Sequence, residues 1–206
     1  MIVRTLTDPF PHVIATDFFE PQELNLIWEE LNFFTKPNKL YDARLFGGAQ
    51  SRTNSNAVIL DEAFNDPGHS NILSLLRSDD SVTSRIKHLI KQLNDSDYTC
   101  NYFHRANKIV TKLRYYHDGS EYGKHTDFKF AFLAFMYFFK EPKHFSGGEL
   151  FFDDGYKYDC ENNSIILIPS YIPHGVTEVS IDDNNFFGGF GRYCVSMFFD
   201  YIRNSS

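Results

Sequence analysis

His125 and Asp127 stand two residues apart in YYHDGSEYGKHTDF (115–128), a stretch crowded with aromatic, small and titratable residues. In an extended segment, residues i and i+2 project from one face, so an imidazole and a carboxylate are offered side by side. Two donors on one side leave the other side of an ion open, and a third must come from a neighbouring strand. His174 in SIILIPSYIPHGV is the best-placed candidate, because it follows an apolar run that ends at a proline-rich turn. Two imidazoles and one carboxylate form a facial triad that suits divalent iron and leaves coordination positions free. On its own the H-x-D spacing more often marks a polar turn than a metal site.

Arg192, in GGFGRYCVSMFF, raises the odds. It precedes an apolar strand downstream of His174, and a buried guanidinium is costly unless an anion pairs with it. Its fork of donors matches a carboxylate with two parallel hydrogen bonds. A metal triad beside such an arginine predicts a carboxylate ligand next to the metal. His117 and Asp118 are the nearest decoys and fall in a predicted turn at Gly119. His12, His69, His88, His104 and His144 show no comparable arrangement.

These residues need elements to position them. PFPHVIATDFFEPQELNLIWEELNFF reads as a short strand running into a helix. Pro21 suits the first turn, Glu20 and Glu23 lie where the helix dipole favours them, and Leu24, Ile27, Trp28 and Leu31 form one apolar stripe. A polar, turn-rich stretch from Lys36 to Asn56 has the composition of a loop or a flap over a site. A second helical region is expected over about 69–93, with Val82, Ile86, Leu89, Ile90 and Leu93 as its stripe and Asp80 or Ser81 as its cap. Beyond Tyr98, the runs NKIVTKLRYY, FAFLAFMYFF, GELFF, SIILIP and RYCVSMFFDY alternate with turn-forming clusters, the texture of a sandwich or barrel.

Composition sets the outer limits. The chain of 206 residues, 42% hydrophobic and 23% charged, is long enough for one domain with a sizeable core. Its 22 Phe and 12 Tyr must largely pack inside, where rings suit pleated sheets. A formal charge of −7 argues against non-specific nucleic-acid binding, which needs a basic face. Cys100, Cys160 and Cys194 lack paired spacing, so a disulfide framework is not expected and a reducing, cytoplasmic compartment is. The N-terminus lacks the features of a signal peptide, and FAFLAFMYFF is about half the roughly 20 residues of a membrane span.

Taken in order, these pieces resemble the Fe(II)- and 2-oxoglutarate-dependent dioxygenases, in particular the prolyl 4-hydroxylase-like branch. PFPHVIATDFFEPQELNLIWEEL looks like the family's opening strand and helix, and LRYYHDGSEYGKHTD like its first metal-ligand strand. SGGELFF and SIILIPSYIPHGVTEV resemble the strands leading to the distal histidine, and GRYCVSMFF the strand of the basic anchor. The resemblance covers most of the chain. It implies a mainly β fold with N-terminal helices, a double-stranded β-helix (jelly-roll, cupin-like) core. The expected organisation is a single domain over 1–206, with helical support over about 1–95 and the core over about 96–203.

The resemblance also implies roles. His125, Asp127 and His174 would hold Fe(II), and Arg192 would pair with the distal carboxylate of 2-oxoglutarate. Tyr115 and Tyr137 would reach the cosubstrate, with Phe138 a rival for the place of Tyr137, and Val176 and Ser196 would neighbour it. Tyr122 would line the substrate entrance, and Phe198 stands where many relatives carry tryptophan. O2 is the second cosubstrate, and ascorbate a further candidate cofactor. An intact Asp127 favours hydroxylation over halogenation, for which relatives replace the carboxylate with a small residue. The expected reaction is hydroxylation of a C–H bond, with a prolyl residue of a peptide or protein as the leading substrate. A small metabolite, a cupin-like enzyme with another metal, and a non-catalytic binding module are the alternatives. No nucleic-acid or membrane partner is expected, and the oligomeric state stays open.

Overall fold

The apolar runs of the second half fold into strands that share a sheet with strands from the first half. The computed structural model describes residues 1–46, 53–96, 106, 108–182 and 185–200. In chain order the first-half elements are β1 (Ile2–Leu6), β2 (His12–Thr16), α1 (Pro21–Phe34), β3 (Tyr41–Asp42), β4 (Asn56–Ile59), α2 (Leu60–Ala63), α3 (Asn71–Ser78) and α4 (Asp80–Ser96). Then follow β5 (Lys108–Tyr116), β6 (Tyr122–His125), β7 (Phe132–Phe138), β8 (Phe145–Gly147), β9 (Leu150–Phe152) and β10 (Lys157–Tyr158). The chain closes with β11 (Ser164–Pro169), β12 (His174–Val176), β13 (Val179–Ile181) and β14 (Arg192–Asp200).

The large sheet has the order β1-β2-β11-β7-β14-β5-β4-β3, and a smaller one the order β10-β9-β12-β6, with β13 and β8 as a further pair. Every pairing between these strands is antiparallel. This is the jelly-roll core expected from the sequence. The central strands β11, β7 and β14 of the large sheet are buried on both faces, which is why they read as continuous apolar runs. Along β7, Phe132, Ala134, Met136 and Phe138 pack on the helical side, while Leu133, Phe135 and Tyr137 face the small sheet. The run that resembles half a membrane span is thus a central strand. Among the described residues, no helix is long and apolar enough to cross a membrane.

The first half differs from the expectation of a helical support. It contributes β1 to β4 to the large sheet, on both sides of the strands from the second half. The strand-to-helix opening is as read: Pro21 starts α1, the Glu20 N–H donates to Glu23 Oε2 at 2.8 Å, and Ile27 and Leu31 are buried. The helical region expected over about 69–93 holds two helices, α3 and α4. The break falls at Asp79, whose extended backbone ends α3. Asp79 Oδ1 accepts from the Val82 N–H at 2.9 Å, so the cap is Asp79 rather than Asp80 or Ser81. Residues 47–52 of the expected flap, Cys100 and His104 lie outside the described residues.

Candidate active site

The small sheet carries His125 and His174, Asp127 follows just past it, and the large sheet forms the floor beneath them. His125 ends β6 and His174 begins β12, and the two are direct cross-strand partners. Asp127 lies just past β6 in a turn, where its N–H donates to the Ser170 carbonyl at 3.1 Å and its carbonyl accepts from Phe130 at 3.0 Å. These bonds tie the Asp127 turn to the proline-rich loop that delivers His174. Asp127 Oδ2 is 3.7 Å from Nε2 of both histidines. One donor atom from each residue falls within 4.8 Å of the others.

The backbone prepares the imidazoles as ligands. His125 Nδ1 lies 3.0 Å from the Gly123 carbonyl and His174 Nδ1 lies 2.9 Å from the Ile172 carbonyl. A carbonyl only accepts, so each Nδ1 carries the proton and each Nε2 presents its lone pair to the centre. Burial holds the His174 pKa below its usual value, which keeps the ring neutral, against the opposing effects of the Ile172 carbonyl and Asp127. Burial raises the Asp127 pKa, with His174, Lys112 and Arg114 opposing it. A divalent cation would relieve the cost of burying that carboxylate. The residues present fit the ion.

A register shift between β6 and β12 sets Val176 opposite Tyr122, so four residues of β6 face three of β12. The extra residue turns Tyr122 onto the same side as His125, and their rings stack at 4.0 Å and 17°. Tyr122 thereby lines the same cavity as His125, Asp127 and His174.

The cavity has a volume of about 490 Å³ and reaches from the triad to Arg192. Arg192 is 1% exposed, its guanidinium lies 4.8 Å and 4.6 Å from the Tyr116 and Tyr137 ring centres, and Nη2 contacts Cys160 Sγ at 3.5 Å. Its Nε and Nη1 and the Tyr137 hydroxyl are buried without a hydrogen-bond partner. Burial also pushes the Tyr137 phenol well above its usual range, so it stays a donor. A charged fork and a hydroxyl, both unsatisfied and facing one cavity, fit a carboxylate. Val176, Ser196 and Phe198 line the same space, whereas Phe138 belongs to the core under the helices.

Tyr115 is the expectation the structure corrects. It is fully buried on the helical side of β5, its ring lies 4.6 Å from that of Tyr193, and its hydroxyl donates to the Phe186 carbonyl and accepts from Gly191 N–H. Arg192 pairs with Tyr116 in the sheet, so Tyr116 shares its face and lines the cavity instead. Alternation along β5 then brings Arg114 and Lys112 into the cavity as well, two residues that reading the sequence missed. The signal was present as a period of two leading back from Arg192's partner, but adjacent tyrosines hid its phase.

With this geometry in place, comparison with known proteins is informative. Residues 111–200, which carry the triad and Arg192, match the family model of the 2OG-Fe(II) oxygenase superfamily. No functionally curated protein matches the chain in sequence. Among solved structures, a Pseudomonas putida prolyl-4-hydroxylase aligns over 93% of both chains with a TM-score of 0.63 at 16% identity. An oxidoreductase of the 2OG-Fe(II) oxygenase family from Burkholderia pseudomallei aligns over 92% of this chain and 84% of its own, with a TM-score of 0.60 at 18% identity. A viral collagen prolyl hydroxylase from Paramecium Bursaria Chlorella virus-1 aligns over 93% and 96%, with a TM-score of 0.52 at 13% identity. Identities this low carry the fold and not the substrate. Residues 111–200 are thus similar to the 2OG-Fe(II) oxygenase superfamily, and the fold of the chain is similar to that of a prolyl-4-hydroxylase.

Proposed function

We propose that the protein is an Fe(II)- and 2-oxoglutarate-dependent oxygenase that hydroxylates a C–H bond, with a prolyl residue of a peptide or protein as substrate. One observation carries the reading. A two-histidine, one-carboxylate cluster and a buried guanidinium lacking an anion share one cavity. Bound together, Fe(II) and 2-oxoglutarate supply oxidising power through decarboxylation to succinate and CO2, one oxygen atom of O2 ending in succinate and the other as hydroxyl on carbon.

The chain's own residues bind, orient and exclude water. His125, Asp127 and His174 would hold the metal, beside the cavity that they line. Arg192 and the Tyr137 hydroxyl take the distal carboxylate, beside Tyr116 and Ser196. Phe135, Leu150 and Val176 wall the space with apolar surface, which strengthens each polar contact inside it. Support for a peptide substrate comes from the fold likeness to two prolyl hydroxylases and from the cavity mouth. Phe46 lines the cavity, and Thr53 bridges to the cavity-lining Tyr122, so described residues of the 36–56 stretch lie beside the site.

The test is an anaerobic titration of metal-free protein with Fe(II) and then 2-oxoglutarate, monitoring the visible metal-to-ligand charge-transfer band. The band is expected in the parent protein and absent in Asp127→Ala. Metal binding without a band would overturn the oxoglutarate assignment.

A further inference from the structure

The cavity wall holds more positive charge than the cosubstrate uses. Among the described lining residues are four cations, Lys112, Arg114, Lys129 and Arg192, and a single carboxylate, Asp127. This concentration stands against the chain as a whole, in which 27 Asp and Glu outnumber 20 Lys and Arg. With a divalent metal and a 2-oxoglutarate dianion bound, Asp127 and Arg192 complete a neutral set. Lys112, Arg114 and Lys129 are left over, and of these Lys129 is exposed while Lys112 and Arg114 are not.

Both are built into the wall. Arg114 is 5% exposed, its Nη1 donates to Ser55 Oγ at 3.3 Å, and its guanidinium lies 4.6 Å from the centre of the Tyr122 ring that stacks on His125. Lys112 is half-buried, with Nζ 5.0 Å from the Phe198 ring centre. Among the described residues neither forms an ion pair with a carboxylate. Burial first, then Arg114, pushes the Lys112 ammonium below its usual range, and a bound anion would oppose both effects. The register separates these cations from the cosubstrate anchor. Arg192 pairs with Tyr116, Cys194 with Arg114 and Ser196 with Lys112. Each step is roughly 6.8 Å along β5, so Lys112 serves the end of the cavity away from Arg192.

We propose that Lys112 and Arg114 form a second anion subsite, on the substrate side of the metal, that holds a carboxylate of the molecule to be oxidised. The inference rests on the oxygenase reading and narrows its substrate to an acidic one. The carboxylate comes from an acidic residue flanking the oxidised position of a peptide, or from a free acid.

Calorimetric titration of the anaerobic protein loaded with Fe(II) and 2-oxoglutarate separates these sources. The probes are two pairs: the acetylated, amidated tripeptide Glu-Pro-Glu with its Gln-Pro-Gln twin, and N-acetylglutamate with N-acetylglutamine. At least one acidic member is expected to bind about tenfold or more tightly than its amide twin, equivalent to about 1.4 kcal/mol. In Lys112→Gln and Arg114→Gln that ratio falls towards one, while the charge-transfer band persists. A preference confined to the tripeptide assigns the carboxylate to a peptide, and one shared by N-acetylglutamate shows that a free acid suffices. Equal binding within both pairs, or no binding by any probe, overturns the proposal. So does a preference that survives the substitutions, or a band lost in Lys112→Gln, which would assign these cations to the cosubstrate. Lys112→Gln decides if the buried Arg114→Gln fails to fold. A band missing from the parent protein is a different failure and sinks the oxygenase reading itself.

Discussion

Arg192 carries a full charge into the interior, where among the described residues the Cys160 thiol and the Tyr116 and Tyr137 rings meet its guanidinium. A buried charge without a counterion costs several kcal/mol, and well-packed apolar replacements of such groups often stabilise proteins by about 1–4 kcal/mol. Arg192→Met is therefore expected to raise the urea midpoint of the metal-free protein while it weakens 2-oxoglutarate binding. Hydrogen bonds to charged groups contribute about 1.5–3 kcal/mol each, so the loss of affinity should be about tenfold or greater. Metal affinity should hold, because the ligands lie on the other sheet. A variant that is less stable and binds 2-oxoglutarate normally would show Arg192 to be structural.

At the scale of the element, the site depends on how closely β12 lies to its neighbours. Gly175 sits between His174 and Val176, and a Cβ there would stand 2.5 Å from the Phe151 ring and 2.7 Å from the Tyr122 carbonyl oxygen. The second contact is with the backbone of β6, which cannot swing aside as a side chain can. Gly175→Ala is expected to cost about 1–3 kcal/mol by overpacking and to loosen metal binding, because it pries His174 from His125 without removing a ligand. Calorimetric metal titration alongside urea unfolding checks both effects. Unchanged metal affinity in a variant that still folds would mean the strands adjust independently of the site.

At the scale of the whole molecule, stability and function sit in different layers. Glu30 of α1 is buried among the helices, where it accepts from Ser70 Oγ at 2.7 Å and from the Ile72 N–H at 2.8 Å at the start of α3. Burial raises its pKa, with bonds from Ile72, Ser70 and Asn71 opposing. A carboxyl raised in the folded state binds its proton more tightly there than in the unfolded chain. Its contribution is therefore complete below the unfolded pKa and is lost as pH rises through the folded one. Unfolding free energies at about pH 5 and about pH 7 should show this loss in the parent protein and not in Glu30→Gln. Identical pH dependence in the two would show that Glu30 titrates as it does when unfolded.

The sequence alone determined the strand runs, the opening helix and which histidines, aspartate and arginine could do chemistry, because each is written in local pattern or in residue type. Continuous apolar runs bounded by turn-forming clusters made β7, β11 and β14 legible, and a histidine, an aspartate and an arginine announce their chemistry wherever they stand. Tertiary structure decided what depends on phase and partners. Whether Tyr115 or Tyr116 faces the cavity follows from the pairing of β5 with β14, which two adjacent tyrosines leave undetermined. The same pairing turns Arg114 and Lys112 inward, where sequence shows only two unremarkable cations in a strand. The break at Asp79 required knowing that its side chain caps α4. Side chains separated by one residue share a face, but only the neighbouring strand fixes which face looks onto the metal.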